Sequence, residues 1–376
     1  MKIGILTLPF NNNYGGFLQA FALLTVLKNL GHEPTLLYRR PNRHEPSYSF
    51  KIKFLIKNVL TSIIDKKNYP IIWSQEAYYL YRGKNMHTFL NRYIIPRTEP
   101  LYSSEELKLV CKDKFDAIIV GSDQVWRPDY VDEIQDYFLE FAVDFDIKRI
   151  AYAASFGTIE NKFLDDQLDR CGNLLSMFDA VSVRETSGID MIKKNGWNVK
   201  SVINVLDPTL LLPIEVYNKI ISGIEKFDSS LFCYVLDAND NNMLVIKAFS
   251  KLLNLRVNQI SDIQKGKSVL PSVEKWLSNI YNASFVITDS FHGMIFSIIF
   301  NKEFAVFVNK NRGADRFFSI LSQLGLEDRI INSIDTIPYL TSKKIEWVMV
   351  NRKIIFLREK SIHFLMNALD TAKMTS

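Results

Sequence analysis

Apolar positions along the chain switch repeatedly between two periods. Short runs of strand length, KIGILTL (2–8), HEPTLLY (32–38), DAIIVGSD (116–123), RIAYAASFG (149–157) and DAVSVRE (179–185), are separated by stretches with helical spacing. The spacing predicts helices over 17–31, 161–177 and 187–195. VLDPTLLLP (205–213), with its two prolines, reads as a linker, and beyond it the alternation starts afresh. LFCYVLD (231–237), LRVNQIS (255–261), ASFVITD (283–289) and FAVFVNK (304–310) are strand-like. Helices are predicted near 241–254, 273–282, 292–300 and 313–324, with a long one starting near Lys343. Alternation of this kind predicts an α/β protein of two Rossmann-like lobes facing across a cleft, with ligands collected at the carboxyl ends of parallel strands. The expected units are residues 1–207, residues 208–342, and a C-terminal helix, 343–376, packing back on the first lobe.

Composition narrows this picture. Of 376 residues, 47% are hydrophobic and 23% charged, which suits folded cores and argues against disorder. No run resembles a spanning helix or a signal peptide, and three isolated cysteines suit neither a disulfide framework nor a zinc site. A cytoplasmic protein is expected. The net charge of +5 is modest and dispersed, unlike the dense basic stripe of a nucleic-acid binder, so no nucleic-acid partner is expected. The most basic stretch, 51–67, places apolar residues on one helical face with lysines at its edges. It is read either as an ordinary surface helix or as one lying on the inner face of a membrane.

Candidate chemistry gathers at predicted strand ends. ITDSFHG (287–293) sets His292 in a strand-to-helix turn, where free backbone N–H groups favour an anion and imidazole can donate a proton. A histidine merely held by Asp289 is the alternative. Lys310, Arg312 and Arg316 follow the next strand. Arg184 ends a strand, as an anion clamp or as a structural partner of Glu185 or Asp179. Asp123 and Gln124 end another, and Gly15 and Gly16 in NNNYGG allow close backbone approach to a ligand. The dinucleotide and P-loop fingerprints, HExxH and GxSxG are all missing, so metal-free chemistry is expected.

YGGFLQAFAL, DAIIVGSDQVW, RIAYAASFG, VSVRE, LDPTLLL and ITDSFHG, in this order, resemble the polysaccharide pyruvyl transferase family. The resemblance implies a fold like that of B-type glycosyltransferases and transfer of pyruvyl from phosphoenolpyruvate to a sugar as a ketal, with no separate cofactor. It implies that Arg184 binds donor and that His292 is a donor ligand or acid. Ser290-Phe291-His292-Gly293 matches the family's Arg-Leu-His-[GA], so Ser290 stands where an arginine is usual, and Arg312 or Arg316 is expected to compensate. Lys310 matches a basic residue after the next strand. The acceptor is expected to be a sugar of a cell-surface polysaccharide, lipid-linked if the protein works at the membrane face. Two competing expectations are a nucleotide-sugar glycosyltransferase on the same scaffold and a non-catalytic anion-binding relative.

Overall fold

Segments such as Ala-Ile-Ile-Val at 117–120 are apolar at every position, so they need cover on both faces, and parallel pairing beneath helices supplies it. The computed structural model describes residues 1–42, 47–64, 75–224, 230–260, 268–308 and 313–370. The first sheet contains β1 (Lys2–Leu6), β2 (Glu33–Leu37), β3 (Ala117–Val120), β4 (Lys148–Ala154), β5 (Ala180–Val183) and β6 (Val202–Asn204). They pair in parallel in the order β2-β1-β3-β4-β5-β6. Pro34 is tolerated because β2 is an edge. The second sheet contains β7 (Leu231–Tyr234), β8 (Val257–Ile260), β9 (Phe285–Thr288) and β10 (Phe304–Val306), also parallel, in the order β10-β9-β7-β8. The fold is two Rossmann-like α/β lobes.

Two helices join the lobes. Tyr14–Asn29 and Phe291–Ile299 are apolar nearly all round, and a helix of that kind must be covered on every side. They are packed into one apolar core that runs from the first sheet to the second. Tyr14 carries the first helix into the second lobe. Its ring stacks on Trp276 at 5.1 Å between centroids, and its hydroxyl donates to the Pro271 carbonyl at 2.9 Å. The long helix Trp347–Leu369 also touches both lobes. Lys353 Nζ donates to Leu324 O at 2.9 Å, Arg358 Nε to Leu210 O at 2.8 Å, and Lys148 Nζ, near the start of β4, to Ala368 O at 3.3 Å.

Between β2 and β3 the chain leaves the sheet through helices Tyr48–Ile64, Gln75–Arg82 and Lys84–Tyr93. No described helix is long and apolar enough to cross a membrane.

Candidate active site

Strand order reverses beside β1 in the first sheet and beside β7 in the second, and a cavity of about 580 Å³ opens between these two points. Leu8 and Pro9 after β1, Asn12 and Gly16 at the start of the Tyr14–Asn29 helix, and Asp123 and Gln124 after β3 line one side. Tyr234 at the end of β7, Asp289 to His292 after β9, and Arg316 line the other.

His292 stands in the first turn of the Phe291–Ile299 helix. Ser290 caps that helix, its Oγ accepting from the Gly293 N–H at 3.3 Å. The imidazole is buried. Its Nε2 lies 3.4 Å from Asp207 Oδ2, an ion-pair distance, and makes no hydrogen bond. Asp289 is not its partner: that carboxylate accepts from the Leu236 and Asp237 N–H groups at 2.7 and 2.8 Å. The other ring edge faces Gly15. A Cβ there would fall 1.9 Å from Nδ1, so only glycine lets the two helix starts meet at the ring. Gly293 has a similar reason to be glycine, because a Cβ there would sit 2.5 Å from Thr288 Oγ1.

Arg184 follows β5 directly, behind this surface. Nη1 donates to Asp207 Oδ2 at 3.0 Å and Nη2 to Asp123 Oδ1 at 3.1 Å, with Phe291 under the guanidinium at 4.6 Å. Of the structural pairings expected, Glu185 lies 4.0 Å from Arg184 Nε, whereas Asp179 instead accepts from the Arg149 N–H. Arg184 is absent from the cavity lining, so it reaches the cavity through Asp123 and Phe291 and is not an open clamp. Arg316 does line the cavity. Its guanidinium lies 5.3 Å from the Phe291 centroid and 4.0 Å from Asp123 Oδ1. Burial and the nearby charge of Arg184 pull its pKa down to about 10. Lys310 and Arg312 lie outside the described residues.

The carboxylates are shifted in opposite directions. Burial opposes ionisation of Asp207, but the charge and contact of His292 and the charge of Arg184 outweigh it, holding the carboxyl well below its usual range. Asp123 is likewise buried yet held low by Arg184, His292 and Arg316. Glu185 goes the other way: burial raises it despite Arg184 and a hydrogen bond from Ser155 Oγ at 2.8 Å. Among the described residues, no group of three or more His, Cys, Asp and Glu side chains is arranged to hold a metal ion.

The structure therefore gathers His292, Arg316, Asp123, Ser290, Phe291 and Gly16 at one cavity, with Arg184, Gly15 and Gly293 directly behind. Sequence reasoning overlooked Asp207 and Asn12. Asp207 left a signal, an acid in an otherwise apolar run, because a buried charge needs partners. Asn12, nine-tenths buried with an unpartnered Nδ2, had none to set it apart from Asn11 and Asn13.

The family model for polysaccharide pyruvyl transferases matches residues 13–311, a span that holds His292, Asp207, Arg184 and Asp123. The chain belongs to this family. Membership makes it a transferase of polysaccharide biosynthesis. No curated protein matches it. Among solved structures, UDP-GlcNAc 2-epimerase from Neisseria meningitidis superposes with a TM-score of 0.51 at 10% identity, covering 98% of this chain and 99% of that one. The Methanocaldococcus jannaschii UDP-GlcNAc 2-epimerase gives 0.50 at 10% identity, over 96% and 100%. At such identity the likeness shows a shared two-lobed fold alone.

Proposed function

We propose that the enzyme moves the pyruvyl unit of phosphoenolpyruvate onto two hydroxyls of one sugar, as a cyclic ketal in a cell-surface polysaccharide. The observation that carries this reading is the meeting of two helix starts from opposite lobes at the His292 ring, in a cavity large enough for a small acid and a sugar. Neither helix has an acidic residue in its first turn, so both present the positive ends of their dipoles to an anion.

In the proposed sequence, His292 gives a proton to the donor's methylene carbon, and the cationic C2 takes up the first sugar oxygen. The C2–phosphate bond then breaks and the second oxygen closes the ketal. The two hydroxyl protons supply the new methyl hydrogen and the proton that leaves with phosphate, so the step balances without a redox partner. Asp207 Oδ2 lies beside Nε2 and orients the ring, whose Nδ1 edge is on the Gly15 side. Arg316 supports the donor's anionic groups. Arg184 positions Asp207 and Asp123. Asn12 and Gln124 offer amide groups to sugar hydroxyls.

Incubation with phosphoenolpyruvate and a panel of free and lipid-linked glycosides, followed by phosphorus NMR, tests the reading. Acceptor-dependent release of phosphate supports it. Release of nucleotide from nucleotide sugars, with phosphoenolpyruvate untouched, would overturn it.

A further inference from the structure

The helix Tyr48–Ile64 has no place in the chemistry above, yet it carries an exposed apolar stripe. Tyr48, Ile52, Ile56, Val59, Leu60 and Ile63 fall at helical spacing on one face and are all exposed, from 43% at Val59 to 85% at Tyr48. Isolated exposed apolar residues are ordinary, but an unbroken stripe along four turns is not. Lys51 flanks it on one side and Lys53 and Lys57 on the other, and residues 46–64 contain no Asp or Glu. A helix with an apolar face, lysines at both edges and no acid is complementary to an anionic bilayer surface, where apolar side chains enter the acyl boundary and lysines meet phosphates. A second copy of the chain would set these lysines against lysines.

Position adds to this. The helix belongs to the excursion that leaves the first sheet after β2. The chain departs through Arg39 to Pro41, beside Pro9, Asn11 and Tyr130. Those last three also line the main cavity, and Tyr79 of the returning helix lines it as well. The chain before the helix, at Arg39 to Pro41, and the helix after it, at Tyr79, therefore both lie by the cavity. We propose that the Tyr48–Ile64 helix docks the protein on an anionic lipid surface, its apolar stripe inserted and Lys51, Lys53 and Lys57 at the phosphate level. Docking stands on these residues alone; that it presents a lipid-linked acceptor to the cavity rests on the function proposed above.

The test is co-sedimentation of the full chain with vesicles of phosphatidylcholine, alone or mixed with phosphatidylglycerol, without donor or acceptor. Binding is expected on the mixed vesicles at low salt and is expected to weaken as salt rises. K51Q/K53Q/K57Q should weaken it on the order of 100-fold, at about one lysine's worth of surface attraction each. I52S/I56S/L60S should weaken it at least about tenfold while leaving the melting temperature and turnover of a soluble acceptor unchanged. Equal binding by the wild type and both variants, or no binding to mixed vesicles, would overturn the proposal. So would a concentration-dependent dimer that the apolar variant abolishes in the absence of vesicle binding, since a second copy would then cover the stripe. Turnover with a soluble glycoside is read separately, so failure of docking and failure of the pyruvyl-transfer reading are distinguishable.

Discussion

At the residue scale the account turns on a glycine and an aspartate that hold one imidazole between them. Gly15→Ala would drive a methyl group into Nδ1 of His292 while leaving the backbone of a first helical turn undisturbed. It is expected to lower kcat on the order of 100-fold, the cost of displacing a reacting group by about an ångström, and to lower the melting temperature as well, because a buried ring has to shift. Asp207→Asn should act on stability as well. It keeps the shape but leaves Arg184 and His292 without a shared countercharge, for a loss of about 3 kcal/mol measured by urea unfolding at neutral pH. Because the folded state holds Asp207 and Asp123 low, each contributes stability that is complete above the ordinary carboxylate pKa of about 4 and is lost as pH falls through the folded value. Glu185, raised by burial, works in the opposite sense, its contribution shrinking as pH rises from the ordinary value towards the folded one. Wild-type stability should therefore fall on acidification, and less steeply in Asp207→Asn. His292 was legible because a histidine at a strand-to-helix turn is uncommon chemistry in a recognisable place. Asp207 was hidden by the prolines around it, which read as a linker, although its side chain caps Thr209 and turns into the site.

At the element scale, long periodic stretches announced themselves and short ones did not. The helix expected over 17–31 is found at Tyr14–Asn29, and its start three residues earlier matters, because those residues include Tyr14 and Gly15. β6 is three half-buried residues at a sheet edge, and the 3-10 turns between Pro128 and Ala142 have no period to detect. Tyr14 tests whether the first helix fastens the lobes. Tyr14→Phe removes one hydrogen bond and should cost about 1 kcal/mol, whereas Tyr14→Ala empties a stacked site against Trp276 and should cost about 3 to 5 kcal/mol in urea unfolding. Equal small effects would mean that the lobe junction depends on other contacts.

For the whole molecule, parallel sheets with reversed strand order oblige two crevices, and packing the lobes on shared apolar helices turns those crevices toward each other. Strand and helix alternation made this architecture readable before any contact was known. What the alternation could not supply was the meeting across the lobes, since Gly15, Asp207 and His292 are far apart along the chain and only tertiary packing joins them. The most direct test is the rate of acceptor-dependent phosphate release from phosphoenolpyruvate by the wild type and by His292→Ala. A fall on the order of 100- to 10,000-fold, with the fold intact by circular dichroism, is the predicted result; an unchanged rate in the variant would contradict the assignment of His292 as the proton donor.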